Sequence, residues 1–172
     1  MGLLGLSMNR VVLDYAQEIE AHQVGFARVY ALKGRPDHPG RFNKGISLHE
    51  FIAENAEAVG AEMAVAQFFG VRGFKPTLNT FKNAADVGGR LEVKWTKYDN
   101  GSLIINKTDR QQDVAVLVTG RSPVYQLAGW IPVSMARQPI FHHRLQDNYW
   151  VTQRDLFPIT DLRSSTYGNS ID

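Results

Sequence analysis

Apolar and polar residues alternate strictly over residues 90–96, a pattern typical of a β-strand with one buried face. The apolar face carries Leu91, Val93 and Trp95. The polar face carries the carboxylate of Glu92 beside the ammonium group of Lys94. Buried charges are costly unless they are paired or bound to a metal, so this strand is a candidate for chemistry as well as for structure.

Two helices are predicted upstream of this strand. The first runs from about Arg10 to Ala31, and Gly25 is expected to weaken or break it. Its apolar stripe comprises Val11, Val12, Tyr15, Ile19, His22 and Phe26. The second helix begins after Ser47, which is a suitable N-cap, and ends at Gly70.

The rest of the chain is predicted to form short strands. They cover residues 77–81, 87–96, 102–106, 114–119, 124–131 and 149–151. Residues 132–148 are predicted to be a long loop, and residues 161–172 a flexible C-terminal tail. The predicted fold class is therefore α/β (α+β), with a mixed central β-sheet flanked by helices. Residues 1–46 would form an N-terminal helix and a Pro/Gly-rich loop, packed on a core of residues 47–160.

Composition narrows the class of protein. The chain has 172 residues, of which 44% are hydrophobic, and this suits one domain with a real core. The absence of cysteine excludes a disulfide framework and a cysteine-based zinc site, and it fits a reducing cytoplasm. The apolar run at the N-terminus is too short for a membrane span, so no membrane association is expected. The net charge of +2 does not by itself indicate nucleic-acid binding.

Three carboxylates and one lysine are the candidate catalytic group. Asp86 lies shortly before Glu92 and Lys94. Glu62 lies at the edge of the apolar stripe of the second helix, so its carboxylate is expected to point along the sheet. Carboxylates brought together in this way can bind the divalent metal that hydrolysis of a phosphodiester needs. The competing interpretation is a plain ion pair between Glu92 and Lys94.

The turn before the polar strand decides whether Asp86 can join this group. A two-residue hairpin loop at the two glycines would pair Val87 with Arg90 and place Asp86 on the face opposite Glu92. A three-residue loop, residues 88–90, would pair Asp86 with Glu92 on one face. A metal site therefore requires the longer loop, a bulge or a bend at Asp86.

An aspartate, a short gap and Glu-x-Lys resemble the signature of the PD-(D/E)xK nuclease superfamily. Small phage and prophage proteins of this superfamily carry further segments in the same order, and the chain is similar to them over about Ser47 to Ile159. The matching segments are Gly60-Ala-Glu62-Met-Ala64, Asp86-Val87, Glu92-Val-Lys94, Leu103-Ile-Ile105, Val116-Leu-Val118, Gly129-Trp-Ile131, Tyr149-Trp-Val151 and Leu156-Phe-Pro158. One departure is that the family core usually has a helix between its third and fourth strands, whereas residues 106–112 leave little room for one.

The resemblance implies a restriction-endonuclease-like core and a metal-dependent nuclease that cleaves DNA, encoded by a phage or prophage and acting in the cytoplasm of a bacterial host. Asp86, Glu92, Glu62 and the carbonyl oxygen of Val93 would bind Mg2+ or Mn2+. Lys94 would orient the attacking water or stabilise the reacting phosphorus. One alternative is a catalytically inactive nuclease-fold protein that binds nucleic acid or serves as a phage accessory protein. Another is a structural protein in which Glu92 and Lys94 form only an ion pair.

Basic residues outnumber acidic residues between Arg72 and Arg110, and such an excess suits a polyanionic partner. Contacts with nucleic acid are expected from Arg90, Lys97, Lys107 and Arg110. Ordinary solubilising charge explains the excess nearly as well. The adjacent His142 and His143 are interpreted as part of a plain loop. The sequence is compatible with a homodimer and does not choose between oligomeric states.

Overall fold

The computed structural model describes residues 8–32, 45–78 and 84–172. These residues form a mixed α+β fold with three helices and two sheets. The helices are α1 (Tyr15–Ala31), α2 (Leu48–Phe69) and the short α3 (Val133–Ala136). The strands are β1 (Arg10–Val12), β2 (Leu91–Thr96), β3 (Leu103–Ile105), β4 (Val114–Arg121), β5 (Val124–Pro132), β6 (His142–His143) and β7 (Asn148–Val151). No helix in these ranges is long and apolar enough to cross a membrane.

The central sheet has four strands in the order β1-β5-β4-β2. Strands β2 and β4 are parallel, with Glu92 beside Ala115 and Lys94 beside Leu117, whereas the other pairs are antiparallel. The second sheet is antiparallel, in the order β3-β7-β6. The connection from β2 to β4 passes through β3 and then through turns over residues 106–113, so the predicted lack of a helix in this connection is confirmed.

Two apolar clusters lie on opposite faces of the central sheet. One joins Leu91 and Val116 to residues of α1 and α2. The other joins Ala115 and Leu117 to buried residues of β3 and β7. Because neighbouring residues of a strand point to opposite faces, Glu92 and Lys94 lie on the face turned away from α2. The polar face of the predicted strand is therefore on the same side as the second sheet.

The N-terminal part of the chain differs from the single helix predicted from Arg10 to Ala31. Arg10–Val12 form the edge strand β1, and the helix begins at Tyr15. Asp14 caps it, because the Asp14 side chain accepts from the backbone N–H of Gln17 while the Gln17 side chain accepts from that of Asp14. The capping pair stops the helix from extending back into the two valines, which pair with β5 instead.

The apolar stripe predicted for α1 does not face the core. Tyr15 is 79% exposed and Phe26 is 54% exposed. The buried positions are the small residues Ala21 and Gly25. A Cβ atom at Gly25 would lie 2.5 Å from the backbone nitrogen of Ala56, so the glycine permits a close approach of α1 to α2 rather than breaking α1. The two helices therefore pack through small side chains.

Helix α2 agrees with its sequence signals. The Ser47 hydroxyl accepts from the backbone N–H of Glu50 at 3.1 Å, and the predicted N-cap is confirmed. Gly70 has a φ of 67° and ends the helix in the left-handed conformation. The predicted strand at residues 77–81 lies partly outside the described residues, and residues 77–78 are not in a strand.

Residues 132–148 are not the long loop that the sequence predicts. They contain α3, a 3-10 turn at Pro139–Phe141 and the strand β6. The hairpin of β6 and β7 pairs His142 with Tyr149 and His143 with Asn148. The sequence obscures β6 because it has only two residues, too few for an alternation of apolar and polar side chains to be visible.

The C-terminal residues, expected to form a flexible tail, pack against the turn that precedes β2. Ser170 and Ile171 are each 1% exposed. The backbone N–H of Arg90 donates to the Ser170 carbonyl oxygen at 2.9 Å. A Cβ atom at Gly88 would lie 2.1 Å from the Ile171 carbonyl oxygen, and Gly88 also has a φ of 57°. The end of the chain thus holds the turn that positions Asp86.

Candidate functional site on the polar face of strand β2

The turn before β2 is the longer of the two alternatives. Val87 pairs with Leu91 in an antiparallel bridge, so residues 88–90 form a three-residue loop. The backbone N–H groups of Asp86 and Val87 both donate to the carbonyl oxygen of Leu91, at 3.0 and 3.1 Å. This arrangement is a β-bulge, because two residues, Asp86 and Val87, lie opposite the single residue Leu91. A β-bulge changes the direction in which a side chain points at the edge of a sheet. Of the three alternatives that would let Asp86 join the group, the longer loop and the bulge are both present.

The bulge places the carboxylate of Asp86 at the outer edge of β2. Its Oδ2 accepts from the backbone N–H of Val93 at 2.8 Å. The N–H and C=O groups of one strand residue point to the same side, so the carbonyl oxygen of Val93 faces this edge too. Strand β4 pairs along the other edge of β2. A carboxylate and a backbone carbonyl oxygen are therefore directed to one edge of the strand.

Lys94 lies between two buried carboxylates. Its Nζ is 3.1 Å from Oε1 of Glu92 and 2.8 Å from Oδ2 of Asp109. The side chains are 15% exposed for Lys94, 3% for Glu92 and 1% for Asp109. Two carboxylates close to one ammonium group hold it in place through charge-assisted hydrogen bonds. The ion pair between Glu92 and Lys94 is present, as part of a larger group.

Asp109 is a member of this group that the sequence reasoning missed. It belongs to the turn after β3, where its Oδ2 also accepts from the backbone N–H of Asn106 at 2.8 Å. The guanidinium group of Arg137 holds the same turn by donating to the carbonyl oxygens of Asn106, Lys107 and Asp109. One signal could have found Asp109, namely the spacing of Asn106 and Asp109, which suits a turn closed by the aspartate side chain.

Asp113 adds a third carboxylate on this side of the sheet. It is 1% exposed and forms a bidentate ion pair with Arg110, at 2.8 and 2.9 Å. Burial raises the pKa of Asp113 above its usual value, Arg110 opposes this, and the negative charges of Glu92 and Asp109 add to the rise. The three carboxylates Glu92, Asp109 and Asp113 thus act on one another electrostatically, with Lys94 and Arg110 as counter-ions.

Glu62 lies on the other side of the central sheet from this group. It belongs to α2, which covers the face that carries Leu91. Its two carboxylate oxygens accept from Arg28, at 2.8 and 2.9 Å, and Arg28 also donates to the carbonyl oxygen of Thr77. The charge of Glu62 is therefore compensated by α1. Among the described residues, no group of three or more histidine, aspartate or glutamate side chains is arranged to hold a metal ion.

The four basic residues expected to contact nucleic acid are spread over the structure. Arg90 donates to the Asn169 side chain at 3.2 Å, and the ammonium group of Lys97 lies 5.6 Å from the centre of the Tyr98 ring. Lys107 forms an ion pair with Asp147. Arg110 is engaged with Asp113. Two of the four cations are thus paired with carboxylates, which reduces the positive field near β2.

Comparison with known proteins assigns no family to this chain. No protein-family model, no curated protein and no solved structure matches it. The arrangement of Asp86, Glu92, Lys94 and Asp109 around β2 is therefore the basis for a functional proposal.

Proposed function

We propose that this protein is a metal-dependent nuclease of the PD-(D/E)xK type, phage- or prophage-encoded, which hydrolyses phosphodiester bonds in DNA in a bacterial cytoplasm. The observation that carries the proposal is the bulge before β2. It directs the carboxylate of Asp86 and the carbonyl oxygen of Val93 to one edge, on the strand that also bears Glu92 and Lys94. The parallel pair of β2 and β4, with α2 over one face, supports a restriction-endonuclease-like core.

The oxygen atoms around β2 fit a hard divalent cation. Asp86 and Glu92 supply carboxylates and Val93 supplies a carbonyl oxygen, and these are the donors that Mg2+ and Mn2+ prefer. We assign these three residues to the ion. Glu62 is left out of this set, because it lies on the other side of the central sheet, where Arg28 binds both of its carboxylate oxygens. A bound ion would activate water and stabilise charge on the phosphate.

Lys94 is the group that acts on water or phosphate. Its ammonium donates hydrogen bonds and carries a fixed positive charge, which stabilises negative charge developing on a phosphate oxygen. If Glu92 turned to a metal ion, Asp109 would still hold Lys94, because Oδ2 of Asp109 lies 2.8 Å from the ammonium nitrogen. In this proposal Asp109 is a positioning residue rather than a ligand.

A cleavage assay tests the proposal. Single- and double-stranded DNA and RNA are incubated with the protein and Mg2+ or Mn2+, and with EDTA as the negative control. Glu92→Gln should abolish both metal binding and cleavage, while Lys94→Ala should abolish cleavage and leave metal binding measurable by calorimetry. Lys75→Ala is the matched control, because it also removes a lysine from an ion pair, in this case an exposed one with Glu20. Equal loss of activity in both lysine variants would contradict the proposed role of Lys94.

One observation favours a second candidate, a nuclease-fold protein without activity that binds nucleic acid or serves as a phage accessory protein. Lys94 lies between Glu92 and Asp109, so its charge is already compensated when no metal is bound. Nucleic-acid binding that is unchanged in Lys94→Ala and Glu92→Gln, without cleavage under any metal condition, would establish this candidate instead.

A further inference from the structure

The outward face of the β3-β7-β6 sheet carries an aromatic surface that the proposed catalytic group does not use. Leu103, Ile105 and Val151 of this sheet point into the second apolar cluster. Ile104 is paired with Trp150 across β3 and β7, and both residues alternate with the buried ones. Their side chains therefore lie on the opposite face, which is only partly buried. We call this face the Trp150 platform, formed by Ile104, Trp150 and His143.

The indole ring of Trp150 is held in place by two contacts. The ring of His143 stacks on it, with 4.7 Å between the ring centres and 23° between the planes. The indole N–H donates to the Asn148 side chain at 2.8 Å. A ring fixed by a stacking neighbour and a hydrogen bond loses little further freedom when a flat ligand packs beside it.

The loop that joins β6 to β7 adds positive charge next to the platform. Arg144 is exposed, directly after His143. The one acidic residue of the loop, Asp147, is neutralised by Lys107, and the hydrogen bonds from Lys107 and His142 lower the pKa of Asp147. Arg144 is therefore not opposed by an uncompensated carboxylate of this loop.

The platform is connected to the candidate catalytic group through one turn. Lys107 lies in the turn of residues 106–109, and it binds Asp147 of the β6–β7 loop. Asp109, in the same turn, binds Lys94. Arg137 holds this turn through three carbonyl oxygens. A strand of nucleic acid bound to the platform would thus lie next to the turn of residues 106–109, whose Asp109 contacts Lys94.

We propose that the Trp150 platform binds single-stranded nucleic acid, with bases stacked on Trp150 and His143 and a backbone phosphate at Arg144. Every base has a π-face, and stacking on an aromatic side chain needs no particular sequence. The bases of a duplex are stacked on one another, so their faces are not available to the platform. This inference deepens the proposed function by naming the form of the substrate. It rests on that function only for the cleavage step, since binding to the platform needs no metal.

Binding is measured by fluorescence anisotropy with a labelled single-stranded oligonucleotide of mixed sequence and its matched duplex, in EDTA so that no cleavage occurs. The single strand should bind more tightly than the duplex. Trp150→Leu keeps an apolar side chain but removes the π-face, and it should weaken single-strand binding roughly tenfold. Trp150→Phe should retain most of the affinity. Trp95→Phe is the matched control, because Trp95 lies on the central sheet and donates to the Gly120 carbonyl oxygen.

Thermal unfolding of each variant shows whether it keeps the fold. Tight single-strand binding in a folded Trp150→Leu variant would overturn the platform, and so would a duplex that binds as tightly as the single strand, or no binding of either. The nuclease proposal fails separately. Loss of binding in Trp150→Leu without cleavage by the parent protein under any metal condition would keep the platform and reject the enzyme. Cleavage by the parent protein together with unchanged binding in Trp150→Leu would keep the enzyme and reject the platform.

Discussion

The ammonium group of Lys94 is closer to Asp109 than to Glu92, at 2.8 Å against 3.1 Å. The lysine and Glu92 share strand β2, whereas Asp109 reaches it from the turn after β3. The nearer partner therefore comes from outside the Glu-x-Lys sequence motif. A largely buried ammonium group needs such compensation, because a charge removed from water is costly unless it is paired.

Asp109→Asn should lower the free energy of unfolding by about 2 kcal/mol, because it leaves the buried Lys94 with one carboxylate instead of two. Urea denaturation measures the loss. Asp147→Asn is the control: it also removes a carboxylate from an ion pair with a lysine, but both partners are 60% exposed, so the change should be close to zero. A double-mutant cycle with Lys94→Met separates the ion pair with Lys94 from the hydrogen bond that Asp109 accepts from the Asn106 N–H. Losses that simply add would show that Asp109 acts mainly through the turn of residues 106–109.

The pKa of Asp113 gives stability a specific pH dependence. Its pKa is raised in the folded protein, chiefly by burial, so between the unfolded and folded values the native state binds more protons than the unfolded state. The contribution of Asp113 to stability therefore falls as pH rises through this interval, and it is lowest once the carboxyl is ionised. The stability of the parent relative to Asp113→Asn should decline over that interval, as followed by urea denaturation at a series of pH values. A difference that rises with pH would contradict the direction of the pKa shift.

Three strands of the central sheet, β2, β4 and β5, are predictable because their patterns are local, whereas the sequence predicts part of a helix at β1. Alternation defines β2, and a run of β-branched residues defines β4. Which face of α1 is buried cannot be predicted in this way. Its large apolar residues, such as Tyr15 and Phe26, suggest a buried stripe, but the close approach of α2 selects Ala21 and Gly25 for the interface. The packing of α1 against α2, rather than the size of its apolar side chains, decides which residues of α1 are buried.

The candidate site is predictable only in part, for the same physical reason. The residues of one strand, Glu92 and Lys94, are related by a fixed period, so their contact follows from the sequence. Asp109 reaches Lys94 from a turn after another strand, and Arg28 reaches Glu62 from another helix. No periodicity relates residues on different elements. The sequence alone does not decide whether the loop before β2 has two or three residues. The structure has the three-residue loop, in which Gly88 packs against Ile171.

Gly25→Ala should destabilise the protein by roughly 2 kcal/mol, because the new Cβ would lie 2.5 Å from the backbone nitrogen of Ala56 and force α1 away from α2. The gain in helix propensity, about 1 kcal/mol, opposes this but is the smaller effect. Gln23→Ala, an exposed position on the same helix, is the control and should change stability little. Thermal and urea unfolding measure both variants. A stabilised Gly25→Ala variant would mean that the two helices can separate at little cost.

Glu62→Gln separates a structural role of this carboxylate from a catalytic one. Glu62 and Arg28 are 7% and 13% exposed, so removing the charge of Glu62 leaves a nearly buried guanidinium group without its carboxylate partner. We expect the free energy of unfolding to fall by roughly 3 kcal/mol while metal-dependent cleavage, assayed well below the melting temperature, is retained. Glu50→Gln, at an exposed position in the first turn of the same helix, is the control for the change of charge. Complete loss of cleavage in a Glu62→Gln variant of normal stability would instead make Glu62 a member of the metal site, and it would require α2 or Arg28 to rearrange when the metal binds.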